Sequence, residues 1–128
     1  MATILIAEDE KDIRELIKFS LTFAGFEVVT VSNGQELVDT AKAMAVKPDL
    51  IMSDVRMPQK TGYEACEEIK SIPELQDIPI VFLSAKGQES EIQTGLSSGA
   101  HEYILKPFAP DELIKRVTNI VNKNVSAR

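Results

Sequence analysis

One cysteine, Cys66, stands in 128 residues, so the chain can form no intramolecular disulfide and offers no thiolate cluster to a metal. One histidine, His101, stands with no second histidine and no cysteine near it, and it reads as a surface residue. No apolar run approaches the ~18–20 residues of a membrane span. The opening MATILIAEDE is too short in its apolar part, and too acidic after it, to read as a secretory signal, so the expectation is a cytoplasmic chain that enters no membrane. Positive charge is scarce as well: 14 Lys and Arg face 20 Asp and Glu, a net charge of −6. Such a surface is a poor match for a phosphate backbone, so no direct nucleic-acid binding is expected, and a partner should bring a basic face or a metal ion. Internal repeats and low-complexity segments are missing too. What is present fits one domain spanning 1–128, since 44% of the residues are hydrophobic. Its core should run from about residue 3 to about residue 122, followed by a short polar tail.

Short apolar runs alternate with amphipathic stretches. The runs are TILIA (Thr3–Ala7), EVVTV (Glu27–Val31), DLIMS (Asp49–Ser53), IVFLS (Ile80–Ser84) and EYILK (Glu102–Lys106). The first, third and fourth are almost continuously apolar, as strands buried on both faces of a parallel sheet are. Between the first two runs, Ile13, Leu16, Ile17, Ser20, Leu21 and Ala24 form a stripe at helical spacing, with Gly25 as the stop. Leu113, Val117, Ile120 and Val121 repeat the pattern near the end, behind Pro110, Asp111 and Glu112 at a favourable helix start. Ser32-x-x-Gln35 and Thr61-x-x-Glu64 read as capping boxes. The helical pattern is weakest between Gln88 and Gly99. Strand and helix alternate five times, which predicts an α/β doubly wound, five-stranded parallel sheet in the flavodoxin-like order 2-1-3-4-5, with helices on both faces. That order reverses between strands one and three, and a ligand belongs at their carboxyl ends.

Those ends carry chemistry. Strand one runs into Glu8 and Asp9, strand three into Asp54, strand four into Ser84 and Ala85, strand five into Lys106 and Pro107. Three carboxylates in one crevice repel one another, and a hard divalent cation such as Mg2+ relieves that conflict with oxygen ligands. Lys106 suits an incoming phosphate and Ser84 offers a hydroxyl donor. An aspartate can attack phosphorus to give an aspartyl phosphate, so the set reads as phosphoryl transfer onto Asp54.

IAEDE, DLIMSDVRMP, FLSAK and YILKPF together resemble the receiver domain of bacterial two-component response regulators, from about Thr3 to about Asn122. The resemblance implies that Asp54 is the phosphoacceptor. Asp9 would then be a direct Mg2+ ligand and Glu8 a more water-mediated one, with the backbone carbonyl of Arg56 completing the protein ligands and Mn2+ able to substitute. It implies that Ser84, the Ala85 backbone and Lys106 bind the phosphoryl group, and that Ser84 and Tyr103 act as a switch. It further implies a cis bond between Lys106 and Pro107. A sensor histidine kinase or phosphotransfer protein would be the donor. The surface of the fourth helical segment, fifth strand and fifth helical segment would bind a downstream protein target or an output domain, and homodimer formation is open. Arg56 and Lys86, two residues past Asp54 and Ser84, are expected to set the lifetime of the phosphorylated state.

Other readings fare worse. A haloacid-dehalogenase-type phosphatase wants a second Asp where Arg56 stands. A flavin carrier needs a phosphate-cradling loop where AEDEKD is acidic and lacks glycine. A degenerate receiver acting only as an interaction module would lack some of the acceptor-site groups, and all are present. Cys66 and Met57 read as packing residues, and the acids Glu64, Glu67 and Glu68 as a solvated helix face.

Overall fold

The computed structural model describes residues 2–55, 57, 59–85, 102–106 and 108–127. At Ser84, Ala85, Glu102, Tyr103, Leu105, Lys106 and residues 124–127 the description is of the backbone. In chain order the elements are β1 (Thr3–Ala7), α1 (Lys11–Phe23), β2 (Glu27–Val31), α2 (Gly34–Ala43), β3 (Leu50–Asp54), α3 (Gly62–Lys70), β4 (Ile80–Ala85), β5 (Glu102–Lys106) and a C-terminal helix (Pro110–Ala127). The strands form one parallel sheet ordered β2-β1-β3-β4-β5, as the alternation of runs predicts. The expected helical segment between Gln88 and Gly99 lies outside the described residues.

Successive strand residues face opposite sides, so one run feeds two cores. Leu5, Ala7, Ile51 and Phe82 pack against Leu37, Val38 and Ala41 of α2 and Ala65, Cys66 and Ile69 of α3. Ile4, Ile6, Leu50, Met52, Val81 and Leu83 pack against Ile17 and Leu21 of α1 and against Leu113, Val117, Ile120 and Val121 of the C-terminal helix. The central β1 is buried throughout, whereas β2 pairs with β1 alone and is half-exposed, which explains its more polar sequence.

Several local expectations shift. In α1 the stripe is narrower than its spacing predicts: Leu16 is 43% exposed and Ala24 is exposed at the C-cap, because the sheet covers an arc centred on Ile17 and Leu21. Gly25 follows at φ +100, where a side chain would be strained. The α2 cap sits one residue later than Ser32. Asn33 is the N-cap and accepts from the Glu36 amide at 2.8 Å, while Glu36 reaches back to the Ser32 amide at 2.9 Å and its hydroxyl at 2.7 Å. Gln35 instead donates to Asp39. The Thr61–Glu64 box forms in full. The acids of α3 are not simply solvated: Glu64 belongs to that box, and Glu68 pairs with Lys60 at 2.7 Å. Cys66 and Met57 are buried packing residues, as expected.

The acidic pocket at the ends of β1 and β3

β1 and β3 are neighbours in register, Ala7 opposite Ser53, so the residues following both strands emerge side by side. Glu8, just past β1, is fully buried, and its amide donates to the Val31 carbonyl of β2 at 3.1 Å. One of its carboxylate oxygens accepts from the Glu10 amide at 3.3 Å. Asp9 is exposed and opens the pocket to solvent. Asp54 closes β3 half-buried, its Oδ1 accepting from the Val55 amide at 2.8 Å. Carboxylate oxygens of Glu8, Asp9 and Asp54 lie within 4.8 Å of one another.

This donor set fits a hard cation. Opposite ligands of Mg2+ are about 4.2 Å apart, given metal–oxygen distances of about 2.1 Å. Neighbouring ligands are about 3.0 Å apart, so three acids clustered within 4.8 Å reach a shared ion by rotating their side chains or through a bridging water. All three ligands are oxygen, without sulfur or imidazole, which selects Mg2+ or Mn2+ over softer metals.

The backbone brings the expected positions on β4 and β5 to the same end of the sheet. Asp54 is level with Leu83 of β4, one residue before Ser84. Ser84 pairs with Leu105 and Ala85 with Lys106, so β4 ends beside β3 and β5 ends one strand further along the same end of the sheet. Tyr103 lies on β5 opposite Phe82. The side chains of Ser84, Tyr103 and Lys106 lie outside the described residues, as do Arg56, Lys86, His101 and Pro107 altogether.

Two contributors escape sequence reasoning. Gly62, the first residue of α3, lies under the end of β3, and a Cβ there would collide with the Asp54 carbonyl oxygen. Its amide donates to the Val55 carbonyl at 2.9 Å, tying α3 to the residue after Asp54. A glycine directly after a capping threonine was the available signal. The second is Arg14, whose Nη1 donates to the Glu8 carbonyl at 2.9 Å. From sequence it is one charged residue among several on α1.

A family model described as the response regulator receiver domain matches residues 4–118. The phosphate regulon transcriptional regulatory protein PhoB of Pseudomonas aeruginosa is 42% identical over 123 residues, covering 94% of this chain and 52% of the relative. The alkaline phosphatase synthesis transcriptional regulatory protein PhoP of Bacillus subtilis is 37% identical over 121 residues, covering 94% of this chain and 49% of the relative. The chain thus spans about half the length of the curated relatives it matches. Among solved structures, a chemotaxis response regulator of Vibrio cholerae superposes with a TM-score of 0.87 at 32% identity, covering 94% of this chain and 98% of that one. The receiver domain of a Pseudomonas aeruginosa sensor histidine kinase, with a magnesium ion coordinated in its active site cleft, superposes with a TM-score of 0.86 at 28% identity, covering 94% and 98%.

Proposed function

This chain belongs to the response regulator receiver domain family, and on that premise we propose that it accepts a phosphoryl group on Asp54 from a sensor histidine kinase or a phosphotransfer protein. The observation that carries the reading is the acidic triad, whose oxygens lie within 4.8 Å of one another at the ends of adjacent strands. An Asp54 carboxylate oxygen attacks phosphorus. The new O–P bond forms as the donor's N–P bond breaks, and its electrons leave with the imidazole, which takes up a proton. Glu8 and Asp9, with the carbonyl of Arg56, would hold Mg2+ beside Asp54; the relative with magnesium in its cleft supports this. When bound, the ion offsets the negative charge that would otherwise keep an anionic phosphoryl group out. Mn2+ would serve with the same oxygen ligands.

Ser84, the Ala85 amide and Lys106 would bind the phosphoryl oxygens. Their place at the ends of β4 and β5, at the same end of the sheet as the triad, supports this role. Ser84 and Tyr103 would carry the change outward, shifting the segment before β5, β5 itself and the C-terminal helix between two states. A downstream protein or an output domain would read that surface, and the transcriptional regulators among its relatives favour the latter class of arrangement. Arg56 and Lys86 would tune how long the modification lasts. The chain acts as a signalling switch that catalyses only its own phosphorylation and dephosphorylation. Among the described residues no helix is long and apolar enough to cross a membrane, and we place the protein in the cytoplasm with its kinase's catalytic face.

Two-dimensional amide NMR tests this directly. Mg2+ should shift the amides of Asp9 and Asp54, and beryllofluoride, a phosphoryl mimic, should add a second set of shifts that Asp54→Asn abolishes. A wild-type spectrum that ignores Mg2+ and beryllofluoride would overturn the reading.

A further inference from the structure

Both peptide groups of Glu8 are held from outside β1. Its N–H donates to Val31 at the end of β2, at 3.1 Å. Its carbonyl, which belongs to the peptide joining Glu8 to Asp9, accepts from Arg14 Nη1 at 2.9 Å. That second contact is a side-chain clamp reaching back from the first turns of α1, and Arg14 is itself half-buried. We infer that Arg14 is a positioning residue for the cation site: by fixing the Glu8–Asp9 peptide plane it holds two of the three carboxylates in place. The inference rests on the metal-binding reading above. The Arg14 charge is also felt at Glu36, in the first turn of α2. The Glu36 carboxyl is held below its usual value mainly by the Ser32 hydroxyl and amide, with a smaller contribution from the Arg14 charge. Arg14 thus ties the end of β1 to α1.

The sign of the effect separates positioning from simple charge. A fixed cation close to a metal site weakens cation binding through space, so deleting it should tighten Mg2+. A clamp acts oppositely: without it the repelling carboxylates spread, and the ion must draw them together again.

Calorimetric Mg2+ titration of the full chain decides between them. Arg14→Met keeps the apolar stem and removes donor and charge; it should weaken Mg2+ binding by about tenfold, the lower end of what supporting hydrogen bonds around metal ligands contribute. Hydrogen exchange at the Glu8 amide should speed up in the same variant, while Arg14→Lys, which keeps a cationic donor, should recover most of both losses. Should Arg14→Met fail to fold, Arg14→Gln takes its place with the same expected weakening. Affinity unchanged or tightened in a folded variant overturns the inference. Wild-type protein that binds no Mg2+ would reject the site itself, whereas wild-type binding left unaltered by these substitutions would reject the role of Arg14 alone.

Discussion

Glu8 and Asp9 are consecutive, yet one is fully buried and the other exposed. Asp9 faces the solvent, and Glu8 forms the floor of the pocket. Burying a carboxylate beside two others is unfavourable unless a cation joins them. Asp9→Asn should therefore raise the urea midpoint in EDTA, and saturating Mg2+ should shrink or reverse that gain because the variant binds the ion poorly. The opposite ranking in EDTA would mean that the acids do not repel. Cys66 illustrates a residue that burial silences. Loss of hydration pushes its thiol up to about 11, well above the ordinary thiol range. The folded state disfavours the thiolate and the unfolded state does not, so this contribution to stability is intact below pH ~9 and is lost as pH rises from there toward ~11. Urea midpoints should fall more steeply across that window in the wild type than in Cys66→Ala.

At the scale of the element, α3 helps to place Asp54. Its Thr61–Glu64 box satisfies the first amides, and Gly62 lets the helix start against the Asp54 carbonyl. Glycine in a helix ordinarily gives way to alanine with a gain of about 1 kcal/mol. Here Gly62→Ala should instead destabilise by more than about 1 kcal/mol, because helix or strand end must move. Thr61→Ala should cost about 1 kcal/mol through the lost cap. Guanidinium denaturation measures both, and a stabilised Gly62→Ala would refute the close-packing argument. The elements themselves were legible in the sequence because each carries a strong local period, and Glu8, Asp9 and Asp54 were legible because the topology rule says where strand ends meet. The α2 cap was misplaced by one residue because Ser32 and Asn33 are both competent caps, and the choice depends on where β2 releases the chain. The roles of Gly62 and Arg14 were not legible, since each depends on a backbone oxygen at a strand end, outside the helix that carries the residue.

Among the described residues of the whole molecule, an apolar surface on α1 lies apart from the core and the acidic pocket. Phe19 is 72% and Phe23 82% exposed on the outer face of α1, beside a groove of about 640 Å³ that Arg14, Lys18 and Thr30 also line. Periodicity alone could not show this, because the stripe identifies which face is apolar and not how wide an arc the sheet covers. Phe19→Ser and Phe23→Ser should each change stability by no more than about 0.5 kcal/mol. Phe82→Ala, by contrast, removes a ring that is fully buried and stacks edge-on against Tyr63 at 5.0 Å. It should cost about 3–5 kcal/mol. Equal losses at all three positions would contradict the two-core description.

The central claim is that three carboxylates on two adjacent strands make Asp54 a phosphoacceptor. Incubation with acetyl phosphate, followed by intact mass and peptide mapping, tests it most directly. The account predicts one added phosphoryl group that requires Mg2+, maps to Asp54 and is absent in Asp54→Asn. A phosphoryl group on any other residue, or no modification with Mg2+ present, would contradict it.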